Sequence, residues 1–141
     1  CLRVCADAGV LTVLRARVAL ARQQPADALA LADEALALPA LAAVSPPNRQ
    51  PQASAERANA LRVKAQALTA LGQTQDASSA VTQALELDQA LGLSDRVLPD
   101  LLLLAQLHKT MGASERAQYY ETLAGRAQAA SQALRSHAPA N

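Results

Sequence analysis

Alanine is the residue that most constrains the fold of this chain. It occupies 35 of the 141 positions and leucine another 24, whereas isoleucine, phenylalanine and tryptophan do not occur. Alanine has the highest helix propensity of the natural residues, while β-sheets are packed by β-branched and aromatic side chains. The valines and threonines form no alternating runs that would predict strands. We therefore expect an all-α fold.

The charged residues are nearly balanced and are dispersed along the chain. Thirteen Lys and Arg face twelve Asp and Glu, which gives a formal net charge of +1. A nucleic-acid-binding surface needs a basic stripe, and single-strand binding adds stacking aromatics. Neither pattern occurs, so no direct nucleic-acid partner is expected. No apolar run approaches the roughly 18 residues of a membrane-spanning helix, and no membrane span is predicted.

Apolar residues recur every three or four positions, which is the period of a helix. They predict three antiparallel helix pairs within a single domain, 1–141. In the first helix, Leu11, Leu14 and Val18 form the apolar stripe. A proline-rich segment between the first two pairs is predicted to be an insertion without a helix, because prolines at that density exclude one. The last residues of the chain are expected to fray. The predicted units are residues 10–38, 55–91 and 95–127, with the insertion at 39–53 and the tail at 136–141.

Glycines and small polar residues mark the predicted ends of these helices. Gly72, Gly92 and Gly112 follow helical segments, where a left-handed residue commonly stops a helix. Ser and Thr side chains are good N-caps because their oxygen accepts a hydrogen bond from a free backbone N–H group. The predicted N-caps are Ser54, Thr74, Ser94 and Ser114.

Pairs of alanines seven residues apart recur in the second helix of each predicted pair. Aligning the three segments on their turns places Gly72 over Gly112, with Gln23 at the same position in the first segment. Two antiparallel helices approach closely only where small side chains face each other. These alanines are therefore predicted to be buried at helix crossings. The pairs are Ala28 and Ala35, Ala77 and Ala84, and Ala117 and Ala124.

This spacing resembles the tetratricopeptide repeat (TPR) over about residues 10–127. The matching small residues of the first helices are Ala16, Ala65 and Ala105. The sequence departs from the family in lacking its large aromatics and in having units of about 40 and 49 residues, against 34 in the family. Such longer units are similar to helical repeats of bacterial signalling proteins, including large LuxR-class transcriptional activators. The segment ARVALARQQPADALALADEAL is similar to the helical sensor segment of those activators.

The resemblance implies a right-handed superhelix of three helix pairs, and the Ala-, Gln- and Arg-rich residues that follow predict a C-terminal helical extension. It also implies a non-catalytic protein-interaction module, either a scaffold or a sensor or regulatory segment of a larger cytoplasmic bacterial protein. Its partner would be a protein or peptide on the concave face, oriented by Arg17, Arg62 and Lys109; the alternative is that these residues simply face solvent. The inward-facing positions of the family fall on Val10, Val13, Arg17, Leu20, Asn59, Arg62, Gln66, Thr69, Leu102, Gln106 and Lys109.

Catalytic and cofactor-binding patterns are not found in the sequence. His108 occupies a packing position and His137 lies in the predicted tail. The acidic residues are interpreted as single solvated charges, with no close carboxylate pair suited to acid–base chemistry. No phosphate-binding loop, nucleophile elbow or paired-histidine metal motif occurs. We expect no enzyme activity, cofactor or metal.

The two cysteines, Cys1 and Cys5, leave two locations open. Two sulfur atoms without further ligands cannot complete a zinc site, and free thiols fit a reducing cytoplasm. Alternatively, Cys1 is the lipid-bearing residue of a periplasmic envelope lipoprotein that acts as a scaffold. A secretion chaperone is a third interpretation.

Overall fold

Six α-helices make up most of the chain, as seen in a computed structural model that describes residues 2–42 and 46–137, with side chains from Ala8 onward. No strand occurs within those ranges, so the all-α prediction is confirmed there. Two 3-10 turns, Pro39–Leu41 and Pro47–Arg49, lie between the second and third helices. The helices are α1 (Leu2–Ala21), α2 (Pro25–Ala37), α3 (Pro51–Ala70), α4 (Thr74–Ala90), α5 (Ser94–Thr110) and α6 (Ser114–Ser136).

Each helix packs against the next one along the chain, and α1 also packs against α3. The largest apolar cluster lies between α3, α4, α5 and α6, and smaller clusters join α1 and α2 to α3. Every alanine predicted at a crossing is buried, with an exposed fraction of at most 4%. They are Ala16, Ala28, Ala35, Ala65, Ala77, Ala84, Ala105, Ala117 and Ala124.

Four turns between helices share one backbone geometry. Gly72, Gly92 and Gly112 have φ angles of +77°, +68° and +77°, and Gln23 occupies the same left-handed region at +61°. In each turn the N–H of the following residue donates to a carbonyl five positions back, as from Gln73 to the Leu68 oxygen at 2.9 Å. This pattern satisfies carbonyls that the helix end leaves free. The predicted glycine stops are therefore confirmed.

The predicted side-chain N-caps at Thr74, Ser94 and Ser114 are wrong by one position. Each of these residues is the first of its helix, and the residue before it occupies the N-cap without a side-chain hydrogen bond. The left-handed glycine turn explains the shift, because one further residue is needed to redirect the chain before the helix begins. In α4 that residue is Gln73, whose carbonyl accepts the N–H of Ala77 at 3.0 Å.

The predicted insertion is shorter than 39–53, because α3 begins at Pro51. Ser54 is therefore not an N-cap; it lies inside α3, and its hydroxyl donates to the Pro47 carbonyl at 2.9 Å. The first part of the insertion is attached to the fold by Leu41, whose exposed fraction is 3%. The Arg57 Nη1 atom donates to the Leu41 carbonyl at 3.0 Å.

The face of α1 that packs on the protein is not the predicted one. Leu11, Leu14 and Val18 are 52%, 46% and 48% exposed, whereas Ala16 and Ala19 are 0% and 6% exposed. The physical reason is the close approach of α2 and α3, which small side chains permit and a row of leucines would prevent. The predicted helical period is present in α1, but Leu11, Leu14 and Val18 face outward.

The ends of the chain are partly described. α1 begins at Leu2, well before the predicted start near residue 10, and the C-terminal extension is a direct continuation of α6. Ser136 ends that helix, while residues 138–141 of the predicted tail, like Cys1, lie outside the described residues. Among the helices of the described ranges, none has the length and apolarity to cross a bilayer.

Candidate interaction surface

The predicted binding residues lie on α1, α3 and α5, the first helices of the three pairs. α1 and α3 are in direct contact. α3 and α5 are joined by hydrogen bonds from Arg62 to Asp100 and from the Arg96 Nη1 atom to the Ala55 carbonyl at 3.4 Å. The three helices are therefore linked in the order α1, α3 and α5.

Most of the predicted residues offer side chains to solvent. Leu102 is 53% exposed, and Arg17, Gln66, Gln106 and Lys109 are exposed as well. Asn59 and Thr69 are half-buried, and the Thr69 hydroxyl donates to the Ala65 carbonyl at 2.7 Å. Lys109 forms an ion pair with Glu121 of α6.

Val13 does not belong to this surface. Its exposed fraction is 1%, and it packs in a cluster with Ala35, Leu41 and Ala60. The insertion after α2 supplies Leu41, which covers Val13 together with the neighbouring helices. The helical period predicts on which side of α1 Val13 lies. It gives no information about Leu41, which belongs to another segment and covers that side.

Arg62, predicted to orient a partner, is instead bound inside the protein. Its Nε atom donates to Asp100 Oδ1 at 2.7 Å, and its Nη2 atom binds Asp88 Oδ2 and lies 3.3 Å from Asp100 Oδ2. Its Nη1 atom donates to Asn59 Oδ1 at 3.0 Å. The Arg62 side chain is 15% exposed and both carboxylates are 0% exposed. Its guanidinium therefore ties α3 to α4 and α5.

Asp88 and Asp100 overturn the expectation that the acidic residues are solvated single charges. One guanidinium faces two buried carboxyl groups, so the fully ionised cluster would hold an excess negative charge. The Asp88 Oδ1 atom is buried and finds no hydrogen-bond donor among the described residues. Burial and the neighbouring Asp100 carboxyl group raise the pKa of Asp88 to about 7, against the opposing attraction of Arg62 and Arg96.

With a pKa of about 7, Asp88 is protonated below neutral pH and partly protonated at pH 7. A protonated carboxyl group is a donor, and Asp100 is the acceptor beside it. The cluster then contains one cation and one anion, which is the balance that a buried site requires. Burial alone would lower the pKa of Arg62, but its hydrogen bonds and attraction to Asp100 and Asp88 raise that pKa above the ordinary value.

The sequence carries a signal for this cluster. Asp88 continues the buried positions Val81, Ala84 and Leu85 of α4 at helical spacing, and Asp100 directly precedes the buried Leu101. A charged residue at a core position must be paired to be tolerated. The separation of the acidic residues along the chain hides this pair, because α4 and α5 bring the two residues together.

His108 is a packing residue, as predicted. It is 6% exposed and stacks on Tyr120 of α6, with the ring centroids 5.3 Å apart and the planes at 12°. Burial, with a smaller contribution from Arg116, lowers the pKa of His108. A neutral imidazole at neutral pH suits a ring that is enclosed by neighbouring side chains.

Two grooves open on other sides of the protein. One, of about 500 Å³, lies between α2, α3 and α4 and is crossed by the Lys64–Asp33 ion pair at 2.8 Å. The other, of about 540 Å³, lies between the C-terminal end of α4, the start of α5 and the last turns of α6. Across residues 2–42 and 46–137, no group of three or more His, Cys, Asp or Glu residues is placed to hold a metal ion.

Comparison with protein-family models, curated proteins and solved structures gives no match for this chain. The geometry defines a helical protein whose neighbouring helices pack in chain order and whose turns repeat. Its function is therefore inferred from the exposed surface of those helices.

Proposed function

We propose that this chain is a non-catalytic protein–protein interaction module built of TPR-like repeats that form a right-handed superhelix. The single observation that supports it is repetition: the same left-handed turn follows α1, α3 and α5, and each pair buries alanines at equivalent positions. Helix pairs of that kind stack so that one helix of each pair contributes to a shared surface. The resemblance to bacterial regulators supports a scaffold or regulatory role in a larger cytoplasmic protein.

The proposed binding surface is formed by the exposed side chains of α1, α3 and α5. Leu102 offers an apolar contact, while Gln66 and Gln106 carry amides that both donate and accept hydrogen bonds. Arg17 adds positive charge, and Lys109 adds a cation that is paired with Glu121 within the protein, so an extended peptide or a helix with acidic residues is the partner that suits the surface. Arg62 is a positioning residue, because it links the helices that present this surface.

Site-specific photocrosslinking tests the location of the surface. A photoreactive amino acid is placed at Gln66 or at Gln106, and in matched controls at the exposed Gln83 of α4 or Gln128 of α6. We expect one and the same protein to be captured from native cells at Gln66 and Gln106 but at neither control position. Capture at all four positions, or at none, would contradict a binding surface on α3 and α5.

Binding of the captured and purified protein then separates surface contacts from stability. Lys109→Glu and Leu102→Ala are expected to weaken that binding while leaving the melting temperature within a few degrees of the wild type, since both side chains are exposed. Unchanged binding in both variants would place the contact elsewhere on the molecule.

A further inference from the structure

The outward face of α1 carries an apolar stripe that nothing in the described part of the protein covers. Val10, Leu11, Leu14 and Val18 are 41%, 52%, 46% and 48% exposed. With about 3.6 residues per turn, these positions fall on one side of the helix. The opposite side, which includes Val13 and the alanines of α1, is buried against α2 and α3. α1 therefore has two apolar faces, of which one is packed.

Arginines border this stripe on both edges. By helical position, Arg15 lies beside Leu11 on one edge and Arg17 lies beside Val10 on the other, and both are exposed. No acidic residue occurs between Ala8 and Ala26. Neither arginine forms an ion pair with the described residues. Both edges of the stripe thus carry positive charge.

We propose that this face of α1 docks an amphipathic helix of a different protein, whose apolar side is bordered by Asp or Glu. The apolar stripe has the width and period that a second helix covers in a helix–helix contact. Charges at the borders of such contacts select the partner and its orientation, as they do in coiled coils. The inference goes beyond the proposed surface on α1, α3 and α5, with which it shares Val10 and Arg17.

A second copy of this chain does not fit the same face. In an α1–α1 pair, parallel or antiparallel, an arginine-bordered edge meets another arginine-bordered edge, because both edges of each helix carry one. Like charges held against each other at a helix contact are unfavourable. Charge complementarity therefore points to an acidic partner.

A membrane surface suits this face less well than a protein helix. Interfacial helices are rich in Lys and Arg on the polar face and carry Trp, Phe or Leu on the apolar face, and the aromatic residues insert at the level of the headgroups. The exposed stripe of α1 is aliphatic without Trp or Phe, and Arg15, Arg17 and Arg22 border it. The lack of aromatic anchors favours a protein partner.

Two labelled peptides test the proposal with the full chain. Each is a helical peptide of about 21 residues, or three heptads, with leucine at the inward positions; one has Glu at the border positions and the other has Lys. Fluorescence anisotropy measures their binding to the protein. We expect the Glu peptide to bind about tenfold more tightly, which is the combined effect of a few exposed ion pairs, with the difference decreasing at high salt.

Substitutions in the exposed stripe then locate the contact. Leu14→Glu is expected to weaken binding of the Glu peptide about tenfold or more, since it places a charge at the centre of the stripe. The Arg15→Glu and Arg17→Glu double variant should reverse the preference between the two peptides. Leu134→Glu, at a position 73% exposed on α6, is the matched control and should bind like the wild type. Circular dichroism verifies that each variant stays folded.

Several results would overturn the proposal. Equal binding of the two peptides, or binding that survives Leu14→Glu, would remove the role of this face. A dimer in sedimentation velocity that Leu14→Glu abolishes would make a second copy the occupant. Leu14-dependent binding to phosphatidylcholine vesicles with about 30% phosphatidylserine, without peptide binding, would make it a membrane. Because Gln106 and Lys109 play no part here, their variants separate a failure of this proposal from a failure of the surface on α3 and α5.

Discussion

The Arg62 Nε atom lies 2.7 Å from Asp100 Oδ1, a contact between residues 38 positions apart that ties α3 to α5. Asp88 at the end of α4 binds the same guanidinium. Three helices thus meet at one buried charged cluster. The relative positions of α3 and α5, which present the proposed binding surface, depend on it.

Arg62→Met should strongly destabilise the protein. Removing the guanidinium leaves two buried carboxyl groups without their cation, and breaking a buried pair in this way costs about 3–5 kcal/mol of unfolding free energy. Urea unfolding at pH 8 measures the loss. The control is Lys64→Met, which removes a partly exposed ion pair with Asp33 and should cost less than about 1 kcal/mol. Equal losses in both variants would mean that the cluster contributes no more than a surface pair.

Stability should fall as the pH rises from 3.8 to about 7, because the unfolded chain has then released the Asp88 proton and the folded protein still holds it. The pKa of Asp88 is raised to about 7 in the folded protein from 3.8. The folded state therefore holds a proton that the unfolded state has released between these values. The resulting decrease in unfolding free energy approaches about 1.4 kcal/mol per pH unit and levels off above pH 7.

Asp88→Asn isolates this contribution, because an amide has the shape of a protonated carboxyl group and does not titrate. Unfolding free energies of the wild type and the variant, measured from pH 4 to pH 9, should differ by an amount that changes with pH below about 7 and is constant above. Glu86→Gln, at an exposed position of α4, is the control and should leave the wild-type slope unchanged. A slope that persists in Asp88→Asn would assign the titration to another group.

Gln23→Gly should stabilise the protein. Gln23 has a φ angle of +61°, where a side chain costs about 1–2 kcal/mol and glycine costs less. After the entropy that glycine adds to the unfolded chain, a net gain of about 0.5–1 kcal/mol is expected in thermal or urea unfolding. Gly72→Ala is the reciprocal test: a Cβ atom there meets nothing within 4 Å, so its loss of stability would measure the backbone strain alone.

Ala77→Leu should destabilise the hairpin of α3 and α4. Ala77 is 0% exposed at the crossing, and added methylene groups in a packed core typically cost about 1–3 kcal/mol. Ala129→Leu places the same side chain at an exposed position of α6 and should be nearly neutral. Thermal unfolding of both variants gives the comparison, and a neutral Ala77→Leu would mean that the two helices can separate without loss.

The features predicted best from the sequence were those that neighbouring residues decide. The glycine stops follow from one backbone conformation, and the alanine positions follow from the helical period in each pair. Even Gln23, which stands in place of a glycine, adopts the left-handed conformation that its turn requires. The N-cap positions failed by a single residue, because the turn needs one more residue than the polar side chains suggest.

The candidate site was predicted less well, because its residues depend on distant segments. Val13 was assigned to a binding surface and is covered by Leu41, which arrives from the insertion after α2. Arg62 was assigned to a partner and is bound by two aspartates from α4 and α5. In both cases the helical period gives the position of the residue on its helix, but it does not give the residues of other segments that contact it.

The sequence by itself determined that the chain is helical, where its turns fall and which alanines are buried, since propensity, periodicity and turn chemistry act over a few residues. Only the tertiary structure decided which face of α1 is buried, and it placed Leu11, Leu14 and Val18 outward. It also brought Asp88 and Asp100 onto Arg62 in a buried cluster. The physical reason is that burial and charge pairing depend on which helices meet, and those helices are separated by many residues in the chain.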